Sequence, residues 1–116
     1  MAISGAHVII YSNDADADRA FFQNVLEYPH VDAGHGWLIF RLPPAELAVH
    51  PTDGETRHEL YLMADDLQET MAKLAESGVE FDEVTDEGWG VLTGFRLPGG
   101  ASIGLYEPRH PRATEL

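Results

Sequence analysis

The sequence predicts an α+β domain made of two tandem β-α-β-β-β units. Three observations carry this reading: a repeated H-x6-D start, an amphipathic helical pattern after each aspartate, and a repeated Gly-Trp…Arg-Leu-Pro strand. A repeat at fixed spacing marks a unit that cannot bury its apolar face alone. Each unit leaves a sheet face bare, so two copies pack together. With 116 residues the chain holds one such domain with a core, not two independent ones.

The elements follow in order. AHVIIYS (6–12) alternates, with Val8 and Ile10 on one face and His7, Ile9 and Tyr11 on the other. DADADRAFFQNVL (14–26) reads as a helix capped by Asp14, with Phe21, Phe22, Val25 and Leu26 on one stripe. YPHVDAG (28–34) is a faint strand and GWLIFRLP (36–43) a clearer one. AELAVHP (45–51) puts Leu47 and Val49 on its apolar face and Glu46, Ala48 and His50 on the other. PTDGETR (51–57) is a turn-rich connection.

The second unit opens with RHELYLM (57–63), which is apolar on both faces. Its facing is therefore set by the repeat: a shift of 51 lays His58 on His7 and Asp65 on Asp14. DDLQETMAKLAESG (65–78) follows as a helix with Asp65 as cap, Leu67, Met71, Leu74 and Ala75 on its stripe, and Gly78 just past its end. VEFDEV (79–84) supplies a strand, as does GWGVLTGFRLP (88–98). In ASIGLYEP (101–108), Ile103 and Leu105 pack under the helix, opposite Gly104 and Tyr106. The single domain spans 1–116, with units at about 1–52 and 55–108 and a tail at 109–116.

Composition narrows the function. A net charge of −13 repels phosphate backbones and argues against nucleic-acid binding. The same charge attracts a cationic guest or a metal ion. No apolar run approaches the roughly 20 residues that span a bilayer. The start MAISGAHVII lacks the basic opening and cleavage site of a signal peptide, so a cytoplasmic protein is expected. Without cysteine, a metal would rest on histidine and carboxylate ligands. No G-x-S-x-G elbow, P-loop or G-x-G-x-x-G fingerprint is present.

The stretch His7, Asp14, Phe21-Phe22, Val25-Leu26, its echo His58, Asp65, Gly78-Val79, and the ending RLPGGASIGLYEP resemble modules of the vicinal oxygen chelate superfamily. That group holds glyoxalase I, extradiol dioxygenases and bleomycin-resistance proteins. The resemblance spans nearly the whole chain. It implies that the strands curl into a cup-shaped sheet with the helices outside. It also implies a homodimer, and a divalent metal (Fe, Mn, Ni, Co or Zn) on ligands from first and last strands.

Carried over by position, those ligands are His7, Glu46 and His58. Gly104 stands where the family's fourth ligand, a glutamate, belongs. Glu107 is a weaker candidate, because it shares parity with Ile103 and Leu105 and so turns from the cup unless a bulge follows Tyr106. Two imidazoles and a carboxylate suit a catalytic metal with open positions. His50 and Tyr106 are candidates for handling the proton, although His50 also reads as a rim residue. Tyr11 shares the cup parity. Trp37 and Trp89 read as core or module-interface side chains, and Arg41 and Arg96 as partners of local carboxylates. His30, His35 and His110 show no ligand spacing.

Two functions follow. One is a metal-dependent lyase, isomerase or extradiol-type dioxygenase that chelates a small vicinal-oxygen substrate. The alternative is a metal-free binding or resistance-type protein that sequesters a small molecule in the cup. The sequence leaves open whether the site forms within one chain or across two.

Overall fold

The computed structural model describes residues 5–116. The first four residues of the N-terminal stretch read above lie outside them. Among the described residues, two helices, a two-stranded antiparallel sheet and a four-stranded mixed sheet, both unclosed, make an α+β fold, as the repeat predicts. Helix α1 (Ala15–Asn24) is followed by the antiparallel hairpin β1 (His30–Asp32) and β2 (Leu38–Phe40). The second half runs β3 (Tyr61–Met63), α2 (Leu67–Ala75), β4 (Thr85–Asp86), β5 (Gly90–Arg96) and β6 (Ser102–Pro108). Its four strands lie in the order β3-β6-β5-β4, with β3 parallel to β6 and the other pairs antiparallel. A 3-10 turn at Ala113–Glu115 ends the chain.

Alternation along β6 works as the sequence demands. Ile103 and Leu105 are each only 2 % exposed and join Phe22 of α1, Leu67 of α2, and Phe95 and Leu97 in one core. Phe21, Phe81 and Phe95 meet ring to ring at about 5.9 Å between centroids, which fixes α1 against β5. The Asp14 side chain accepts the Ala17 N–H and caps α1. At the far end of α2, Gly78 sits at φ 86, where only glycine is unstrained. There Val79 N–H reaches Leu74 O and Gly78 N–H reaches Ala75 O, the paired closure of a left-handed helix end.

Three expectations need correction. First, the cap of α2 is Asp66, which accepts the Glu69 N–H, whereas Asp65 receives the Arg112 guanidinium at 2.9 Å. The structural repeat is therefore offset by 52: Asp14 answers to Asp66, Ala15 to Leu67, and core-packed Ile10 to core-packed Leu62. Second, VEFDEV is not a strand, and β4 lies just beyond it. Its Asp82 still borders β5, donating its N–H to Gly94 O at 2.8 Å and accepting the Thr93 hydroxyl at its own carbonyl.

Third, AHVIIYS and AELAVHP form no ladder. Only Ile10 of the first packs on the core, while Leu47 and Val49 of the second are 91 % and 90 % exposed. Pro43, Pro44 and Pro51 bracket the second segment and remove ladder donors. A strand with no partner and no cover on its apolar face is marginal.

Two ties hold the loops around the cup. Asp18 of α1, 6 % exposed, accepts the Gly99 N–H at 2.7 Å and so anchors the β5–β6 turn. Gly99 must be glycine, because a Cβ there would run into Ser12 Oγ and stand 2.6 Å from Asp18 Oδ2. The tail is pinned by Arg109 to Asp86 at 2.8 Å, by Arg112 to Asp65, and by the Ala113 N–H donating to the Glu46 carboxylate. No helix among the described residues is long and apolar enough to cross a membrane.

Candidate functional site

The face of the second sheet opposite the helices carries a row of aromatic rings. Tyr61 of β3 meets Tyr106 of β6 at 5.8 Å and 75°, and Tyr106 meets Trp89 at 5.5 Å and 73°. His50 closes one end against Trp89 at 6.4 Å, and His110 stacks on Tyr106 at 6.0 Å and 28°. Edge-to-face contacts of this kind lock ring orientation beyond what area burial does. Tyr106 is 8 % exposed, whereas Tyr61 and Trp89 keep open surface.

The Tyr106 hydroxyl lies 3.1 Å from His110 Nε2, and His110 Nδ1 lies 2.7 Å from Pro111 O. A carbonyl only accepts, so Nδ1 carries a proton, and with the ring neutral Nε2 takes the tyrosine's hydrogen. Burial pushes the Tyr106 phenol up from 10.0, the Glu46 carboxylate adds to the rise, and Arg112 opposes it. Burial also raises Tyr61, followed by the charge of Glu59. Both phenols stay protonated at neutral pH and present O–H groups rather than phenolates.

The structure brings some of the predicted residues together and separates others. Glu46, Tyr106 and His50 all reach the aromatic row. Glu46 Oε1 stands 4.0 Å from His110 Nε2, and its other oxygen is taken by the tail. His7 and His58 are both exposed. No group of three histidine, aspartate or glutamate side chains able to hold a metal ion occurs among the described residues.

The offset of 52 explains His58. It makes Glu59, not His58, the counterpart of His7, and a one-residue slip turns a strand side chain to the opposite face. Leu60 and Leu62, which share parity with His58, pack on the core, while Tyr61 faces the ring row. Glu107 is spent elsewhere: its Oε1 accepts the Leu67 N–H at 3.0 Å, at the head of α2. Gly104 is covered by the Tyr61 ring, which stands where a side chain would go. Within one chain, then, the residues do not fit the metal that the resemblance implies.

His110, Trp89 and Tyr61 are the members of the site that sequence reasoning did not place. Position 110 follows Pro108 and precedes Pro111, a bent tail with no periodicity to read. Of the two arginines considered above, Arg96 donates to Gly100 O at 3.3 Å. Arg41 borders a cleft of about 510 Å³ with Tyr28, Pro29, Leu42, Pro43 and Pro44. A second cleft of about 530 Å³ runs between Phe21, Val79, Phe81 and Pro98. Neither includes a residue of the ring row.

No family model and no curated protein matches the sequence. Solved structures do. An antibiotic binding protein from Streptomyces sp. CB03234 is 26% identical with a TM-score of 0.69, over 93% of this chain and 98% of that one. A member of the glyoxalase/bleomycin resistance protein/dioxygenase superfamily from Sphaerobacter thermophilus is 25% identical with a TM-score of 0.62, over 92% and 99%. A lactoylglutathione lyase from Agrobacterium tumefaciens shares the fold at 16% identity and a TM-score of 0.64, over 92% and 96%. The structural neighbours are thus glyoxalase/bleomycin resistance/dioxygenase superfamily proteins, the vicinal oxygen chelate group, and this chain has their fold over most of its length.

Proposed function

We propose that this is a metal-free binding protein of the resistance type, which sequesters a small molecule against the ring row of Tyr61, Tyr106 and Trp89. One observation carries the reading. The position where the resemblance calls for a metal-binding glutamate is Gly104, and the Tyr61 ring fills its place. A site that trades a carboxylate for an aromatic face binds by stacking and dispersion rather than by chelation. The similarity at 26% identity to an antibiotic binding protein supports the same direction.

The metal-dependent enzyme that sequence alone puts first now stands second. It requires His7, Glu46 and His58 to converge, with His50 or Tyr106 moving the proton, and it would have to draw these ligands from two chains.

We also propose a cytoplasmic homodimer. Ile9, Tyr11, Leu47 and Val49 lie exposed on two segments whose strand pattern finds no partner among the described residues. A second copy that covers them would also wall the open side of the ring row.

Metal analysis on protein purified without chelators tests the first claim. The expected result is no stoichiometric Fe, Mn, Ni, Co or Zn even after supplementation. Stoichiometric metal that is lost in His58→Ala would overturn the binding reading and restore the enzyme.

A further inference from the structure

None of the three strand glycines, Gly90, Gly94 and Gly104, has the left-handed φ that Gly78, Gly88 or Gly100 shows, and of the three Gly104 and Gly90 are the two that meet an aromatic ring. Backbone conformation therefore does not require them, and space does. A Cβ on Gly104 would meet Cγ, Cδ1 and Cδ2 of Tyr61 at 2.7, 2.8 and 2.7 Å. Three ring atoms at nearly one distance mean that the Cβ would strike the ring broadside, not at its edge. Gly104 and Tyr61 are direct partners in the parallel β3–β6 pair.

One strand over, a second glycine makes room for a tyrosine, there at the edge of the ring. A Cβ on Gly90 would stand 2.9 Å from Cδ2 and 3.5 Å from Cε2 of Tyr106, and 3.1 Å from the Glu107 carbonyl. Tyr61 thus lies over Gly104, whereas one edge of Tyr106 crowds Gly90. Covering a sheet glycine with an aromatic ring is a known stabilising device. Here it happens at Gly104, on the face away from the core, where the Tyr61 ring keeps open surface while the buried Tyr106 meets it edge to face.

We propose that Gly104 and Gly90 are specificity-determining positions of the guest site. By withholding a side chain, Gly104 lets Tyr61 lie down on the sheet, and Gly90 leaves room for the edge of Tyr106, which stands nearly at right angles to the Tyr61 ring beside it. Together they set a floor of one aromatic ring with an upright second ring at its side, which admits a flat, conjugated ring system and offers a compact aliphatic guest no matching surface. This rests on the sequestering function proposed above. A methyl group at 104 lifts the Tyr61 ring and breaks its contact with Tyr106, so the floor is lost without any change of charge or polarity.

The test uses the full chain with Trp37→Phe, so that fluorescence reports Trp89. The probes are proflavine, a flat tricyclic cation, and 1-aminoadamantane, a compact cage of the same charge. Proflavine should quench Trp89 saturably, and the cage amine should not compete. Gly104→Ala should weaken proflavine by about tenfold, the order that one aromatic contact supplies. Tyr61→Leu should do the same, and Gly104→Ala added to Tyr61→Leu should cost nothing more.

A probe-free measurement stands beside it. The Gly104 Hα resonance should lie upfield under the Tyr61 ring current and return to its ordinary place in Tyr61→Leu. An unshifted Gly104 Hα in the parent, or proflavine binding that Gly104→Ala leaves intact, overturns this inference while the sequestering function survives. An upfield Hα with no proflavine binding overturns the sequestering function itself and leaves the two glycines a purely structural role. The circular dichroism of each variant confirms that it is folded.

Discussion

Replacing Glu107 separates a structural carboxylate from a metal ligand. Its Oε1 accepts the Leu67 N–H at 3.0 Å across 40 residues of chain, and Leu67 is only 2 % exposed. Water cannot easily take over that donor. A hydrogen bond to a charged acceptor contributes about 1.5–3 kcal/mol. A negative charge at a helix N-terminus contributes about 0.3–1 kcal/mol more. The Asp66 cap serves the Glu69 N–H and is untouched. Glu107→Ala should therefore cost about 2–3 kcal/mol, which against urea slopes of about 1–3 kcal/mol per molar moves the unfolding midpoint down by roughly 1 M. Glu107→Gln keeps an acceptor oxygen and loses only the charge, so its cost should stay near 0.5–1 kcal/mol. Equilibrium unfolding followed by circular dichroism, with and without excess EDTA, reads both. An alanine variant as stable as the parent, or a cost that vanishes in EDTA, refutes the assignment.

Asp18→Ala strands the buried Gly99 N–H and should cost about 1–3 kcal/mol. Asp18→Asn keeps the acceptor and removes charge from an oxygen that has no partner, so thermal melts should place it close to the parent. Phe95→Ala empties the space between Phe21 and Phe81 and should cost about 3–5 kcal/mol in the same urea experiment. Burial raises Tyr28, Tyr61 and Tyr106 above 10.0 in the folded chain. Their contribution is fully present below pH 10 and falls as pH climbs through the raised values, because the unfolded chain ionises first. Phenolate absorbance should therefore lag behind that of the denatured chain at equal alkaline pH, and coincident curves would contradict it.

Much of the architecture was legible in the chain. The helices, the Asp14 cap, the Gly78 stop and the inward facing of Ile103 and Leu105 all follow from period and cap chemistry. The site was less so, and one residue of register explains much of it. Asp65 and Asp66 are adjacent and equally good caps by type, and matching His58 to His7 selected the wrong one. RHELYLM has no polar face to correct the error, so Tyr61 stayed hidden behind His58. The two segments that fail to pair show the complementary limit. Alternation marks AELAVHP as able to be a strand, but only a neighbour with free donors and acceptors makes it one.

Four of the seven basic side chains, Arg19, Arg57, Arg109 and Arg112, are already matched to carboxylates of this chain. What remains beyond the surface is the field of a polyanion. Two identical copies approaching each other meet that field twice, so any pairing works against long-range repulsion. Dissolved ions shorten its reach to about 10 Å at 0.1 M. Self-association of this protein should accordingly tighten as ionic strength rises, while capture of a positively charged guest slows under the same change.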